Sequence, residues 1–345
     1  MRIYRFLCAI LMISWVACSQ PSQYIPDPAK VLAQELTNRR VLMVADFSHE
    51  FALPYQSIVN ILSEWIELAR DPSFGSRNLT LFLEEDDQIA STVREYVETG
   101  RLDHFLDYAL PSTSLERLEF YAHLRRCAQH IDSLNLFLPP PKRITFDIQG
   151  PEPVNIFDPT VLDSSMQAGV SYFINGRDSL TASRAITYLK AHPSHRALFF
   201  YGAAHLIKTT VAKNVGGAVP ANQSLGNYLA FYLKKEFGDY EVLSVNQLSR
   251  TRMSASLSGA PAGTLLVKSQ NVPWDTHVFS DNNFQPAYFD AFILRDELLC
   301  PSHPLSQIFS IRTIDGAKSR HPFNRSTVAT APVSRLTSSR LIVDQ

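Results

Sequence analysis

Four short apolar runs constrain this chain most: VLMVA at 41–45, LTLFL at 79–83, RITFDI at 143–148 and ALFFY at 197–201. A strand with one wet face alternates apolar and polar residues. These runs lack that strict alternation, which predicts strands covered on both faces, as in a parallel sheet flanked by helices. Helical patterns lie between them. The segment 54–70 opens with proline in its first turn and puts Ile58, Leu62, Trp65 and Ala69 on one stripe. Ala182, Ala185, Ile186 and Leu189 form a second stripe, and 224–237 reads as a helix with Leu225, Leu229, Tyr232 and Leu233 inward and Gly238 as its stop. Two further helices, over about 88–110 and 114–135, separate the second strand from the third. Later strands are expected at 240–245, 263–268 and 288–294. The predicted fold is therefore α/β: an open, mostly parallel sheet with helices on both faces, plus a helical insertion between the second and third strands.

The chain has 345 residues with 32 Lys+Arg against 33 Asp+Glu, and 45% of it is hydrophobic. That balance suits a large buried core and gives no electrostatic footprint for nucleic acid. One domain over 38–314 accounts for the pattern. Before it, Arg2 and Arg5 precede a mostly apolar run over 6–17, too short for the roughly 20 residues of a spanning helix and of signal-peptide length. Val16-Ala17-Cys18 resembles a lipoprotein processing site, so residues 1–18 are expected to direct export, with Cys18 the residue acylated. The expected location is a bacterial cell envelope, lipid-anchored and periplasm-facing, or secreted. Residues 19–37 read as a Pro-rich linker and 315–345 as a weakly ordered Ser/Thr/Arg-rich tail. Cys127 and Cys300 remain in the mature chain, and whether they pair is open.

In an open α/β sheet, ligands bind beyond the carboxyl ends of the strands. Three polar groups follow such ends here: Asp46-Phe-Ser-His49-Glu50 after the first strand, Glu84-Glu85-Asp86-Asp87 after the second, and Gly202-Ala-Ala-His205 after the fourth. A histidine takes a proton from water near neutral pH when a carboxylate fixes its tautomer. A second histidine and an arginine can polarise a carbonyl or hold an oxyanion, and Arg177, in Asn175-Gly-Arg-Asp178, is the arginine placed to do so. His192-Pro-Ser-His195 has metal-like spacing but falls in a predicted surface turn.

Six spaced motifs resemble the erythromycin esterase-like family, within the superfamily that includes Tiki proteases and ChaN-type haem-binding lipoproteins. They are Asp46-x-x-His49-Glu-Phe, the strand-terminal Glu84, Gly176-Arg-Asp-Ser-Leu-Thr-Ala182, Gly202-Ala-Ala-His205, Leu225-Gly226 with the helix ending Phe237-Gly-Asp-Tyr240, and Tyr288-Phe-Asp-Ala-Phe-Ile293. They cover about residues 38–298. The resemblance places the family's acid and first histidine on Asp46 and His49, its second acid on Glu84, its arginine on Arg177 and its second histidine on His205. Where the family has Gly-Glu before the first histidine, this chain has Ala45-Asp46, an acid about one methylene shorter.

No G-x-S-x-G elbow, H-E-x-x-H helix, P-loop or G-x-G-x-x-G turn occurs, which leaves water as the nucleophile. Two readings follow. One is an exported hydrolase in which His49, oriented by Asp46, activates water against an ester or amide carbonyl of a small-molecule substrate. No cofactor is required, although a divalent metal on His49, Glu84 and His205 would suit a metal-assisted version. The other is a ChaN-like lipoprotein that binds haem or another small ligand without turnover, or a family member that has lost its chemistry. The expected partners are a small molecule and, through the anchor, a membrane.

Overall fold

Seven strands lie side by side in the order β3-β2-β4-β1-β7-β9-β8. The computed structural model describes residues 27–46, 52–71, 73–101, 115–152, 176–212, 225–249, 265–267 and 288–295. The strands of this sheet are β1 (Val41–Asp46), β2 (Asn78–Leu83), β3 (Thr145–Gln149), β4 (His195–Gly202), β7 (Val242–Ser249), β8 (Leu265–Val267) and β9 (Ala291–Arg295). All neighbours pair parallel except β8, which closes one edge antiparallel to β9. A separate two-stranded ribbon pairs β5 (Val211–Ala212) with β6 (Leu225–Gly226).

Two cores explain the absence of alternation in β1, β2 and β4; the expected burial on both faces fails for the run 143–148, which forms β3 at the sheet edge, where only Ile148 is fully buried. Leu42 and Val44 of β1, and Leu198 and Phe200 of β4, point into one apolar cluster. Val41, Met43 and Ala45, and Ala197, Phe199 and Tyr201, point into the other. Successive residues of a strand face opposite ways, so a strand buried on both faces must be apolar throughout. The first core is covered by α1 (Pro28–Asn38), α2 (Ala52–Arg70), α3 (Asp87–Thr99) and α4 (Leu115–Asn135). The second is covered by α5 (Arg177–Ala191) and α6 (Leu229–Phe237). The helix stripe read from the sequence holds: Ile58, Leu62, Trp65 and Ala69 of α2 are all buried. The helical insertion between β2 and β3 is α3 and α4.

The structure moves several expected boundaries. Residues 28–37, read as linker, form most of α1, whose Leu32, Ala33 and Leu36 are buried. Pro28 is not tether composition but the first helical position, where a missing N–H costs nothing, and Asp27 caps it through Lys30 N. The helix expected over 88–110 stops at Thr99. Gly100 takes a left-handed φ of 75° there and donates its N–H to Tyr96 O, closing the last turn. The helix expected over 224–237 begins only at Leu229, because Leu225–Gly226 is spent on the ribbon. Residues 1–26, with Cys18, and the tail 315–345 lie outside the described residues, as does Cys300. Cys127 is a buried free thiol of α4, pushed up to about 11 by burial. No described helix is long and apolar enough to cross a membrane.

One close approach sets the geometry of the strand ends. Gly150 passes so near β2 that a Cβ would lie 2.6 Å from Ala90 Cβ, Asp86 O and Glu85 O. Two of those atoms are backbone and cannot swing aside. The approach lets Glu152 donate its N–H to Glu85 O at 3.2 Å and brings its carboxyl to the rim. Gly150→Ala is therefore expected to destabilise the fold by about 1–3 kcal/mol through overpacking. Denaturant unfolding of wild type and variant measures it.

Candidate active site

The connections of the sheet reverse at the seam between β2 and β4. From β2 the chain leaves through α3 and α4 on one face toward β3, whereas from β4 it leaves through α6 on the other face toward β7. Such a reversal opens a crevice at the carboxyl ends of the strands. Glu84 sits in it. Its Oε2 accepts the Gly202 N–H at 2.6 Å across the seam, and its Oε1 accepts from Arg177 Nη2 at 2.8 Å and lies 3.2 Å from His205 Nε2. Arg177 opens α5, and its Nε donates to Glu152 Oε2 at 2.8 Å. His205, in the turn after β4, is bonded through Nδ1 to Asp178 Oδ1, which also accepts the Leu229 N–H at 3.1 Å at the start of α6.

Of the residues expected from sequence, the structure thus brings Glu84, Arg177 and His205 together. Asp46 ends β1, is 5% exposed, and shares with Glu84 the wall of a small pocket of about 20 Å³. His49 lies outside the described residues. His192 and His195 are at the opposite rim: His192 stacks on Tyr188 at the end of α5, and His195 Nδ1 meets Thr80 Oγ1 at 2.9 Å.

Two acids of the cluster escaped the sequence reading. Asp178 follows Arg177 directly but holds His205 rather than the arginine's partners, because consecutive residues on a helix point about a hundred degrees apart. Glu152 stands in Pro151-Glu-Pro153, which carries no motif, and only the Gly150 approach delivers it. A signal for Asp178 existed: an acid directly following the arginine at a helix start.

The run Glu84-Glu85-Asp86-Asp87 resolves into four separate jobs. Strand alternation carries past Leu83, so Glu84 faces the α5 side and Glu85 the α4 side. There Glu85 Oε1 lies 2.9 Å from Arg117 Nη1 and accepts from the Tyr121 hydroxyl at 3.2 Å. Arg117 Nε also donates to the Tyr55 hydroxyl at 3.3 Å. Asp86 caps α3 by accepting from Ile89 N at 2.9 Å. Asp87 sits exposed in the first turn of α3. Glu85, Arg117, Tyr55 and Tyr121 line the same pocket as Asp46 and Glu84, with Phe120 and Phe200 as apolar walls.

Charge decides what each group can do. Burial by itself would discharge His205, but Asp178 and Glu84 on its two nitrogens outweigh it and raise the imidazole to about 10. His205 is an imidazolium at neutral pH, not a base. Burial likewise works against the charge of Arg177, yet Glu152 and Glu84 hold it firmly protonated. Burial pushes the Glu152 carboxyl up, opposed by Arg177, and burial raises Tyr55 to about 12 and Glu85 above the usual carboxylate range. Among the described residues no three His, Cys, Asp or Glu side chains are grouped to hold a metal ion. Of the expected metal set His49, Glu84 and His205, the two described members do not fit a divalent cation, since the Glu84 oxygen facing His205 also accepts from a guanidinium. Nor does His205 fit as an axial haem ligand, both its nitrogens being held by carboxylates.

No family model and no curated protein matches this sequence. Solved structures do match. A succinoglycan biosynthesis protein is 11% identical, with a TM-score of 0.51 over 77% of this chain and 90% of its own. An erythromycin esterase mutant in its open conformation is 10% identical, with a TM-score of 0.48 over 80% of this chain and 95% of its own. ChaN of Campylobacter jejuni, with cofacially bound haem, is 11% identical, with a TM-score of 0.37 over 64% and 85%. The likeness is one of fold. At 11% identity the first of these shows a shared α/β architecture and leaves the chemistry to this chain's own residues.

His205 makes a signed prediction. A group raised in the folded state from 6.5 to about 10 adds stability that is complete below 6.5 and is lost as pH climbs through about 10. Wild type should lose stability across that window in pH-dependent denaturation, and His205→Asn should show a flatter profile there. Asp178→Asn removes the partner on Nδ1, so it should lower the His205 titration midpoint followed by NMR.

Proposed function

We propose that this chain is a hydrolase in which water attacks an ester or amide carbonyl of a small molecule at the crevice between β2, β4 and β1. The observation that carries the reading is the position of Glu84: a carboxylate at the topological switch point, fixed by Gly202 N, Arg177 and His205, on the wall of a pocket that also holds Asp46. With its oxygens engaged by those donors, Glu84 serves to position two cations, Arg177 and His205.

The proton from water must then go elsewhere. Asp46, at the end of β1 three residues before His49, supplies the acid of a His/carboxylate pair, with His49 as general base. Arg177 spends Nε on Glu152 and Nη2 on Glu84. Its Nη1, unengaged among the described residues, is the donor for the oxyanion that develops on the carbonyl. His205 adds positive charge behind Glu84, and fixed charges of this kind act with little reorganisation. Export and acylation at Cys18 belong to the same proposal. They rest on the N-terminal sequence, which fits a lipoprotein signal and would place the enzyme in the cell envelope.

The deciding experiment assays acid release from a panel of small esters and amides by the full chain. His49→Ala should lower kcat by about 10²–10⁴, the range of a lost general base, with a smaller change in KM. Glu84→Gln should also reduce kcat by loosening Arg177. Turnover unaffected by His49→Ala, or no turnover of any ester or amide, would overturn the reading.

A further inference from the structure

Among the described residues, three buried side-chain oxygens around the Glu84 cluster have no hydrogen-bond partner: Glu152 Oε1, Thr181 Oγ1 and the Tyr201 hydroxyl. Thr181 and Tyr201 are essentially without exposure, at 1% and 0%, and Glu152 is 5% exposed. Buried polar atoms without partners are rare because each gives up its hydrogen bonds to water without a replacement. Three in one neighbourhood call for a common cause.

The neighbourhood is shared. Arg177, Thr181 and Arg184 follow one another at spacings of four and three along α5, so they lie on one stripe. Both ends of that stripe hold the segment after β3: Arg177 Nε donates to Glu152 Oε2 at 2.8 Å, and Arg184 Nη1 donates to Glu152 O at 2.8 Å. Thr181 lies between them on that stripe and is buried. Tyr201 comes from β4, its ring 5.8 Å from that of His205. After burial, the strongest influence on its hydroxyl is Glu152, followed by Glu84, Arg177 and Asp178. The charged groups around the spot are the carboxyls of Glu84, Glu152 and Asp178 and the cations Arg177, His205 and Arg184, equal in number.

We propose that Glu152, Thr181 and Tyr201 enclose an internal site for one ordered water, which bridges the Tyr201 hydroxyl to the Glu152 carboxyl. The donor set suits water. A buried water makes about three hydrogen bonds to otherwise unsatisfied groups, and a carboxyl with two hydroxyls supplies three partners of both donor and acceptor character. The site stands independently of the hydrolase reading, since it requires no reaction.

Two measurements on the full chain test it. Magnetic relaxation dispersion counts long-lived internal waters in solution. Wild type should show one more than the Thr181→Val/Tyr201→Phe double variant, in which two of three partners are gone and the side-chain shapes are nearly kept. A crystal structure resolving waters should show density within about 2.7–3.2 Å of all three oxygens. Equal water counts in the two proteins would overturn the proposal. So would a crystal structure in which the three oxygens bond one another, or in which the density lies at the roughly 2.3–2.6 Å contacts of a bound cation. A double variant that fails to fold leaves the wild-type density to decide.

Discussion

The strand-end architecture depends on one carboxylate. Glu84 accepts the Gly202 N–H from β4, pairs with the guanidinium that opens α5 and faces the imidazolium after β4. It thus ties together three segments that the chain order keeps far apart. Neither cation would be content in this buried place alone, because a buried unpaired charge costs several kcal/mol. Each is retained because an acid is already there, and Glu152 and Asp178 complete the balance on their outer sides. The cluster is better described as a preorganised block of charge than as a set of separate catalytic groups.

That description changes the roles a sequence reading assigns. A histidine after a strand invites the role of base, but an imidazole between two carboxylates near pH 7 already carries its proton. In the reaction proposed above, the proton acceptor is instead His49, three residues beyond the end of β1, where Asp46 stands on the same pocket wall as Glu84.

Much of the fold was legible because both-face burial leaves a direct mark on β1, β2 and β4; the fourth run, 143–148, also became a strand, β3, but a half-exposed one at the sheet edge. Glu84, Arg177 and His205 were legible too, as polar residues just beyond those strands or at the start of a helix. What stayed hidden depends on contacts across the sequence. Glu152 has no local pattern and reaches the cluster only through the close passage of Gly150 beside Glu85 and Asp86. Arg117 lies in a helix whose apolar stripe says nothing of Glu85 across the pocket. The α1 helix was obscured by a different cause, since proline marks both extended tethers and helix starts, and only the packing of Leu32 and Leu36 separates them.

The alternation at the end of β2 has a cost in tolerance. Glu84 and Glu85 are chemically near-identical neighbours, yet they serve opposite layers of the molecule, one meeting Arg177 and the other Arg117. Losing or gaining a single residue beside them would turn each acid toward the wrong guanidinium, and every later side chain with it. Related chains that keep both clusters should therefore vary freely in composition along this stretch while its length stays fixed.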